Sequence, residues 1–200
     1  MKIIGVTGGI GAGKSSVSEI LKKRGAMVID ADKLSREVVE VDKPAYIKIT
    51  EEFGTDILNH DRSINRKKLA SLVFNDPEKR IRLEKIVHTE VINAILAEID
   101  NLKKTNYDGI VALDVPIPVR HGFLDLVDRV WVVTAPEDVR IQRVMQRSGL
   151  SEDEVRERIC SQISQQEYID LADDIIDNRG SLEELEKQVI KLLSGLTEER

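Results

Sequence analysis

Gly8-Gly9-Ile10-Gly11-Ala12-Gly13-Lys14-Ser15, following directly on the apolar run Ile3-Ile4-Gly5-Val6-Thr7, decides the reading of this chain. It fits G-x-x-x-x-G-K-[ST], the pattern of a loop that cradles a polyphosphate between a strand and a helix. Glycine at 8, 9, 11 and 13 removes the Cβ atoms that would block left-handed backbone angles, so successive N–H groups can turn inward around one anion. Lys14 is expected to reach the β- and γ-phosphates, and the Ser15 hydroxyl to ligate Mg²⁺. From Ser15 onward Val17, Ile20 and Leu21 fall on one helical face. The loop therefore empties into a helix N-terminus, whose dipole favours negative charge.

The bulk composition narrows the class. A chain of 200 residues has room for one domain with a full core and an insertion. It is 41% hydrophobic and 33% charged, and its net charge of -6 argues against a general nucleic-acid binder, whose balance would be basic. Cys160 is the only cysteine, which excludes an intrachain disulfide and a four-cysteine zinc site. The N-terminal apolar run is too short for a signal-peptide core, and no stretch approaches the roughly 18 apolar residues of a membrane span. The expectation is a cytoplasmic enzyme acting on a small molecule, with no nucleic-acid or membrane partner and its oligomeric state left open.

Outward from the loop, Gly25 reads as the stop of the first helix, and Met27-Val28-Ile29 as a strand that delivers Asp30-Ala31-Asp32 at its C-terminal end. In an open parallel sheet ligands sit beyond those ends. Asp30 and Asp32 would point the same way if the extended geometry persisted. Lys33 to Leu102 is mostly helical in pattern, with Pro77 after Asp76 starting the long repeat from Leu83 to Leu102. This region, 33–103, reads as an insertion on the acceptor side. Ile110-Val111-Ala112-Leu113-Asp114 is a buried strand ending in a carboxylate. Asp114 is either a Walker B residue supporting Mg²⁺ or simply the first residue of the loop Asp114-Val115-Pro116.

Arg129 to Ala135 is a further strand, after which Pro136 sits at an expected N1 position. The next helix carries Arg140, Arg143 and Arg147 at spacings that share one face, and Ser151-x-x-Glu154 caps its successor, which carries Arg156, Arg158 and Gln162. An arginine stripe is either a solvated face or, beside a phosphate loop, a lid over 137–168. Asp173 to Asn178 is the last strand, and Ser181-x-x-Glu184 caps a final helix with Leu182, Leu185, Val189 and Leu192 on its apolar face.

Strands alternating with helices around a first phosphate loop specify an α/β, doubly wound, mostly parallel sheet of the P-loop kinase type. No N-K-x-D guanine-reading motif is present, which weakens a GTPase reading. A kinase needs a positioned acceptor hydroxyl, a group to take its proton and cations against the developing charge. Asp32, Lys14 with Mg²⁺, and Arg143 with Arg147 supply those parts. Carboxylates are weak bases, so Asp32 is expected to align the hydroxyl and take its proton late. His88 reads as an interior or groove residue, Cys160 as lid packing and Trp131 as core.

Several blocks also resemble the dephospho-CoA kinase family, the last enzyme of coenzyme A synthesis. They are Gly5 to Ser15, Val28-Ile29-Asp30-Ala31-Asp32, Arg36-Glu37-Val38-Val39, Asn65-Arg66 with Leu69, and Leu83-Glu84 with Val87-His88. Later blocks are Asp114-Val115-Pro116, Arg158 with Gln162, and Ala172-Asp173 with Ile176-Asp177-Asn178. The resemblance implies ATP- and Mg²⁺-dependent phosphorylation of the 3′-hydroxyl of the dephospho-CoA ribose, by a core, a helical CoA-binding domain and a lid. It implies that Asp32 is the catalytic base, that Gly11, Ala12, Gly13, Lys14, Ser15 and Ser16 hold the ATP phosphates, that Arg143 and Arg147 are lid arginines, and that Asn178 lies near the adenine.

The chain departs from the family pattern at Val41-Asp42-Lys43-Pro44, at His88-Thr89, at Pro116-Ile117-Pro118-Val119-Arg120, and at Tyr168, where a lysine is usual. These departures touch the acceptor side and the lid. They keep open a nucleoside or nucleotide kinase with another acceptor, and a nucleotide-binding switch without one.

Overall fold

The structure is a computed structural model and describes residues 1–74, 76–116 and 123–198, the side chains of 197 and 198 excepted. Five strands, β1 (Lys2–Thr7), β2 (Met27–Asp30), β3 (Ile110–Asp114), β4 (Arg129–Thr134) and β5 (Asp174–Asp177), form one sheet in the order β2-β3-β1-β4-β5. Every neighbouring pair is parallel. Helical crossovers impose this, because parallel neighbours cannot be joined by a tight hairpin. With helices covering the sheet, β1 and β4 read as continuous buried runs rather than alternating ones.

The chain forms two compact units, Met1–Asp30 with Tyr107–Arg200, and Ala31–Asn106. The first holds the sheet with α1 (Lys14–Lys23), α6 (Glu137–Ser148), α7 (Glu152–Cys160), α8 (Gln165–Asp170) and α9 (Leu182–Glu198). Its main core joins Ile4, Val6, Trp131 and Ile176 of the sheet to Val17 and Leu21 of α1 and Leu185 and Val189 of α9. Trp131 is fully buried there, as expected of a core residue. Leu182 departs from the expected apolar face: at the first turn of α9 it is 64% exposed.

The second unit holds α2 (Ala31–Glu37), α3 (Pro44–Phe53), α4 (Arg66–Phe74) and α5 (Pro77–Lys104), packed around Ala45, Ile49, Ile57, Leu69 and Val73. Asp76 caps α5 by accepting the Lys79 N–H at 3.0 Å, and Pro77 occupies the first turn, where its missing N–H costs nothing.

Two local expectations shift. Pro136 is the N-cap of α6 rather than its N1 residue. Strand geometry ends at Asp30, because Ala31 already begins α2 and Asp32 lies in that helix's first turn. The alternation that would have aimed Asp30 and Asp32 the same way therefore does not extend to Asp32.

Candidate active site

The phosphate loop runs from the end of β1 into α1. Gly13 is the N-cap of α1 in the left-handed region, φ 97° and ψ 30°, and its carbonyl accepts from Ser16 and Val17 N–H, so the helix starts tightly behind it. Gly11 also has positive φ, 78°. Gly9 does not, and its need for glycine is steric: a Cβ there would sit 2.5 Å from the Arg140 guanidinium. Close approach constrains its neighbours as well, since a Cβ on Gly8 would clash with the Val133 carbonyl oxygen and one on Gly11 would lie 2.5 Å from that of Arg140.

Lys14 is half-buried, with its ammonium donating to the Gly8 carbonyl at 3.0 Å, while Ser15 is exposed at the helix start. Ser16 and Ala12 complete the turn, Ala12 buried beneath it, its N–H donating to Gly9 O.

Asp114 ends β3 beside the loop, in register with Val6 of β1 and with Asp30 of β2, so two carboxylates stand at the C-terminal edge of adjacent strands. The Ser18 hydroxyl donates to Asp114 Oδ2 at 2.7 Å. Sequence reasoning passed over Ser18, although a serine among Val17, Ile20 and Leu21 on the inward face of α1 was the clue.

The three arginines at helical spacing separate into three environments. Arg140 is 6% exposed, its Nε donating to the Ile10 carbonyl at 2.9 Å. Burial holds its guanidinium below the ordinary arginine range, with the carboxylate of Glu137 and the Tyr168 ring opposing that. Arg143 is half-buried and donates to the Asn178 carbonyl at 2.9 Å, while its second terminal nitrogen is buried without a partner among the described residues. Arg147, in the last turn of α6, is exposed.

Asn178, at the end of β5, is 6% exposed and donates to the Ala12 carbonyl at 2.8 Å. From the turn after α7, the Gln162 carbonyl oxygen accepts the Ile10 N–H at 2.8 Å. Ile10 itself packs with Ile141, Val144 and Val155 of α6 and α7. Tyr168, buried on α8, donates its hydroxyl to the Pro116 carbonyl at 2.9 Å, and burial pushes its phenol pKa up. Tyr168, a departure from the family pattern, thus reaches Pro116, which keeps to it, and Ile117 to Arg120 lie outside the described residues.

Asp32, exposed on α2, belongs to the helical unit. That unit carries a groove of about 340 Å³ bordered by Leu34, Val38, Pro44 and Ala94, with Glu37, Lys43, Glu90 and Asn93 as its polar groups. His88 is exposed on α5, not interior, although seven and eleven residues separate it from Ile95 and Ile99 and so place it on their side of the helix. Cys160 is exposed at the end of α7, where Val155 and Ile159 take the packing role expected of it. No helix is long and apolar enough to cross a membrane among the described residues.

The family profile for dephospho-CoA kinase matches residues 2–184. A dephospho-CoA kinase of Carboxydothermus hydrogenoformans is 42% identical over 193 residues, 96% of this chain and 93% of that one. Among solved structures, TT1252 from Thermus thermophilus superposes with a TM-score of 0.81 at 35% identity, covering 98% of this chain and 97% of that one. The dephospho-CoA kinase from Campylobacter jejuni follows with a TM-score of 0.72 at 30% identity, covering 99% and 98%. A parallel sheet with a G-x-x-x-x-G-K-S loop between its first strand and helix is the P-loop kinase fold. The chain belongs to the dephospho-CoA kinase family.

Proposed function

We propose that this chain transfers the γ-phosphoryl group of ATP to the 3′-hydroxyl of the dephospho-CoA ribose, releasing CoA and ADP. The observation that carries the reading is a formed phosphate loop, tied by Arg140, Gln162 and Asn178, in a chain whose family match spans residues 2–184. The nucleoside-kinase and switch readings rested on short departures, and a match over most of the chain outweighs them.

In this reading Gly9, Gly11 to Ser16 and the Lys14 ammonium hold the ATP phosphates, and Asn178 lies near the adenine. Asp32 orients the acceptor hydroxyl and takes its proton as the new O–P bond forms. Arg143 and Arg147, from a lid over 137–168, meet the charge that spreads over the moving phosphoryl oxygens. The helical region 33–103 binds the acceptor, and its groove offers apolar walls with Glu37, Lys43 and Asn93 for a long, polar-studded arm.

The oxygen donors of Ser15 and Asp114 fit Mg²⁺, a hard cation that takes one or two protein ligands alongside phosphate oxygens. The Ser18 hydrogen bond fits that role too, because it fixes the orientation of the Asp114 carboxylate. When bound, Mg²⁺ would supply positive charge to the phosphate oxygens.

The direct test is incubation of the purified chain with ATP and dephospho-CoA, following CoA by chromatography. CoA formed with one ADP per turnover is expected. A folded chain that phosphorylates nucleosides or sugars and leaves dephospho-CoA untouched would overturn the reading.

A further inference from the structure

Arg140 is the one lysine or arginine that is buried among the described residues. A buried charge normally has a carboxylate to neutralise it, since removing it from water unpaired is costly. Arg140 has none among the described residues: Glu137, one turn earlier on α6, is ion-paired to Arg156 instead. Its contacts are neutral, namely the Ile10 carbonyl at 2.9 Å and the Gln165 side-chain oxygen at 3.4 Å.

The space around it is as informative as its bonds. The guanidinium presses against Gly9 so closely that a Cβ there would lie 2.5 Å from it. The cavity left between Gly9, Ala12, Gln165, Tyr168 and Arg140 is about 10 Å³, room for one water at most. With 6% of its surface exposed, Arg140 is largely withdrawn from water, and in such surroundings a charge acts more strongly than at the surface. The Ile10 peptide is meanwhile taken on both sides, its carbonyl by Arg140 and its N–H by Gln162.

We propose that Arg140 is a positioning residue of the nucleotide site: it draws the Ile10 carbonyl toward α6 and places a positive charge, not ion-paired among the described residues, behind Gly9, where it favours a polyphosphate. This rests on the nucleotide reading of the loop given above. A carbonyl left in the cradle would repel phosphate oxygens, and the fold tolerates the unpaired cation because the bound anion completes it. The arrangement also explains why a helical stripe of three arginines contains one that never reaches solvent.

The test is ATP binding by calorimetry, with Mg²⁺ and without acceptor, alongside steady-state kinetics and thermal melts of the full chain. In Arg140→Met, Kd and KM for ATP are expected to rise about tenfold or more, with kcat and the KM for dephospho-CoA within about threefold of wild type. The melting temperature without nucleotide should stay within about 3 °C of wild type, because removing an unpaired buried charge offsets the bonds lost. Arg140→Lys retains an amine donor on a shorter arm without the planar fork, and its ATP affinity should fall less than that of the methionine variant.

An ATP affinity in Arg140→Met within about twofold of wild type would overturn the proposal. So would a common decline of kcat, both KM values and melting temperature, or a lysine variant as weak as the methionine one. Should Arg140→Met not fold, Arg140→Gln takes its place with the same expectation and the same overturning results. Binding is read without acceptor, so a chain showing this ranking but no turnover of dephospho-CoA would sink the kinase reading alone.

Discussion

The Asn178 side-chain amide donates to the Ala12 carbonyl at 2.8 Å, joining the turn after β5 to the phosphate loop across 166 residues of sequence. The same residue receives Arg143 on its main-chain carbonyl at 2.9 Å and donates its own N–H to Thr134 at 2.8 Å. One buried side chain thus sets the loop, while its backbone sets an arginine that faces the loop.

Replacing Asn178 by Ala would leave the Ala12 carbonyl without its donor. The expected cost is about 1–3 kcal/mol of folding stability, the usual penalty for an orphaned buried group, together with weaker ATP binding. Urea denaturation with and without ATP measures both. Unchanged stability and unchanged ATP affinity would show that the loop holds its shape without this bond.

Asp32→Asn tests the proton acceptor. Turnover is expected to fall by about a hundredfold or more while ATP affinity stays within about twofold, because in the proposed reaction the carboxylate serves the acceptor hydroxyl and not the nucleotide. Loss of ATP binding with unchanged turnover per bound ATP would move Asp32 to the nucleotide side.

Ser18→Ala removes the donor to Asp114. Stability should fall by about 0.5–1.5 kcal/mol, the net worth of one hydrogen bond. The Mg²⁺ concentration for half-maximal activity should rise, because the freed carboxylate is less well oriented. A magnesium titration that superposes on wild type would separate Asp114 from the metal.

Glu90, 6% exposed on α5, is held below the ordinary glutamate value of 4.5, chiefly by the Lys48 ammonium at 2.6 Å, with burial opposing and Asn93 assisting. A depressed carboxylate contributes stability that is fully present above its unfolded value and is lost as pH falls through the folded one. Glu90→Gln should therefore destabilise the chain at pH 7 and lose that disadvantage as pH drops below 4.5 toward the depressed value. Denaturant midpoints of both proteins across that range give the comparison. A gap that stays constant with pH would mean that shape, not charge, holds Glu90 in place.

What the sequence by itself determined is what short-range chemistry encodes. The glycine spacing from Gly8 to Gly13, the apolar run before it and the helical repeat after it specify strand, loop and helix without reference to the rest of the chain. Asp76-Pro77, Ser151 with Glu154 and Ser181 with Glu184 specify helix starts in the same way, since a cap is a bond between residues three apart. The tertiary structure alone decided how these pieces face one another. Helical spacing placed Arg140, Arg143 and Arg147 on one side of α6 but carried no information on what that side meets. Packing buried the first under Gly9, tied the second to Asn178 and left the third in solvent. Ser18 with Asp114, Gln162 with Ile10 and Tyr168 with Pro116 are likewise pairs 96, 152 and 52 residues apart. No local pattern encodes such a pair, because each exists only once the parallel sheet has brought distant strand ends and helix starts to one edge.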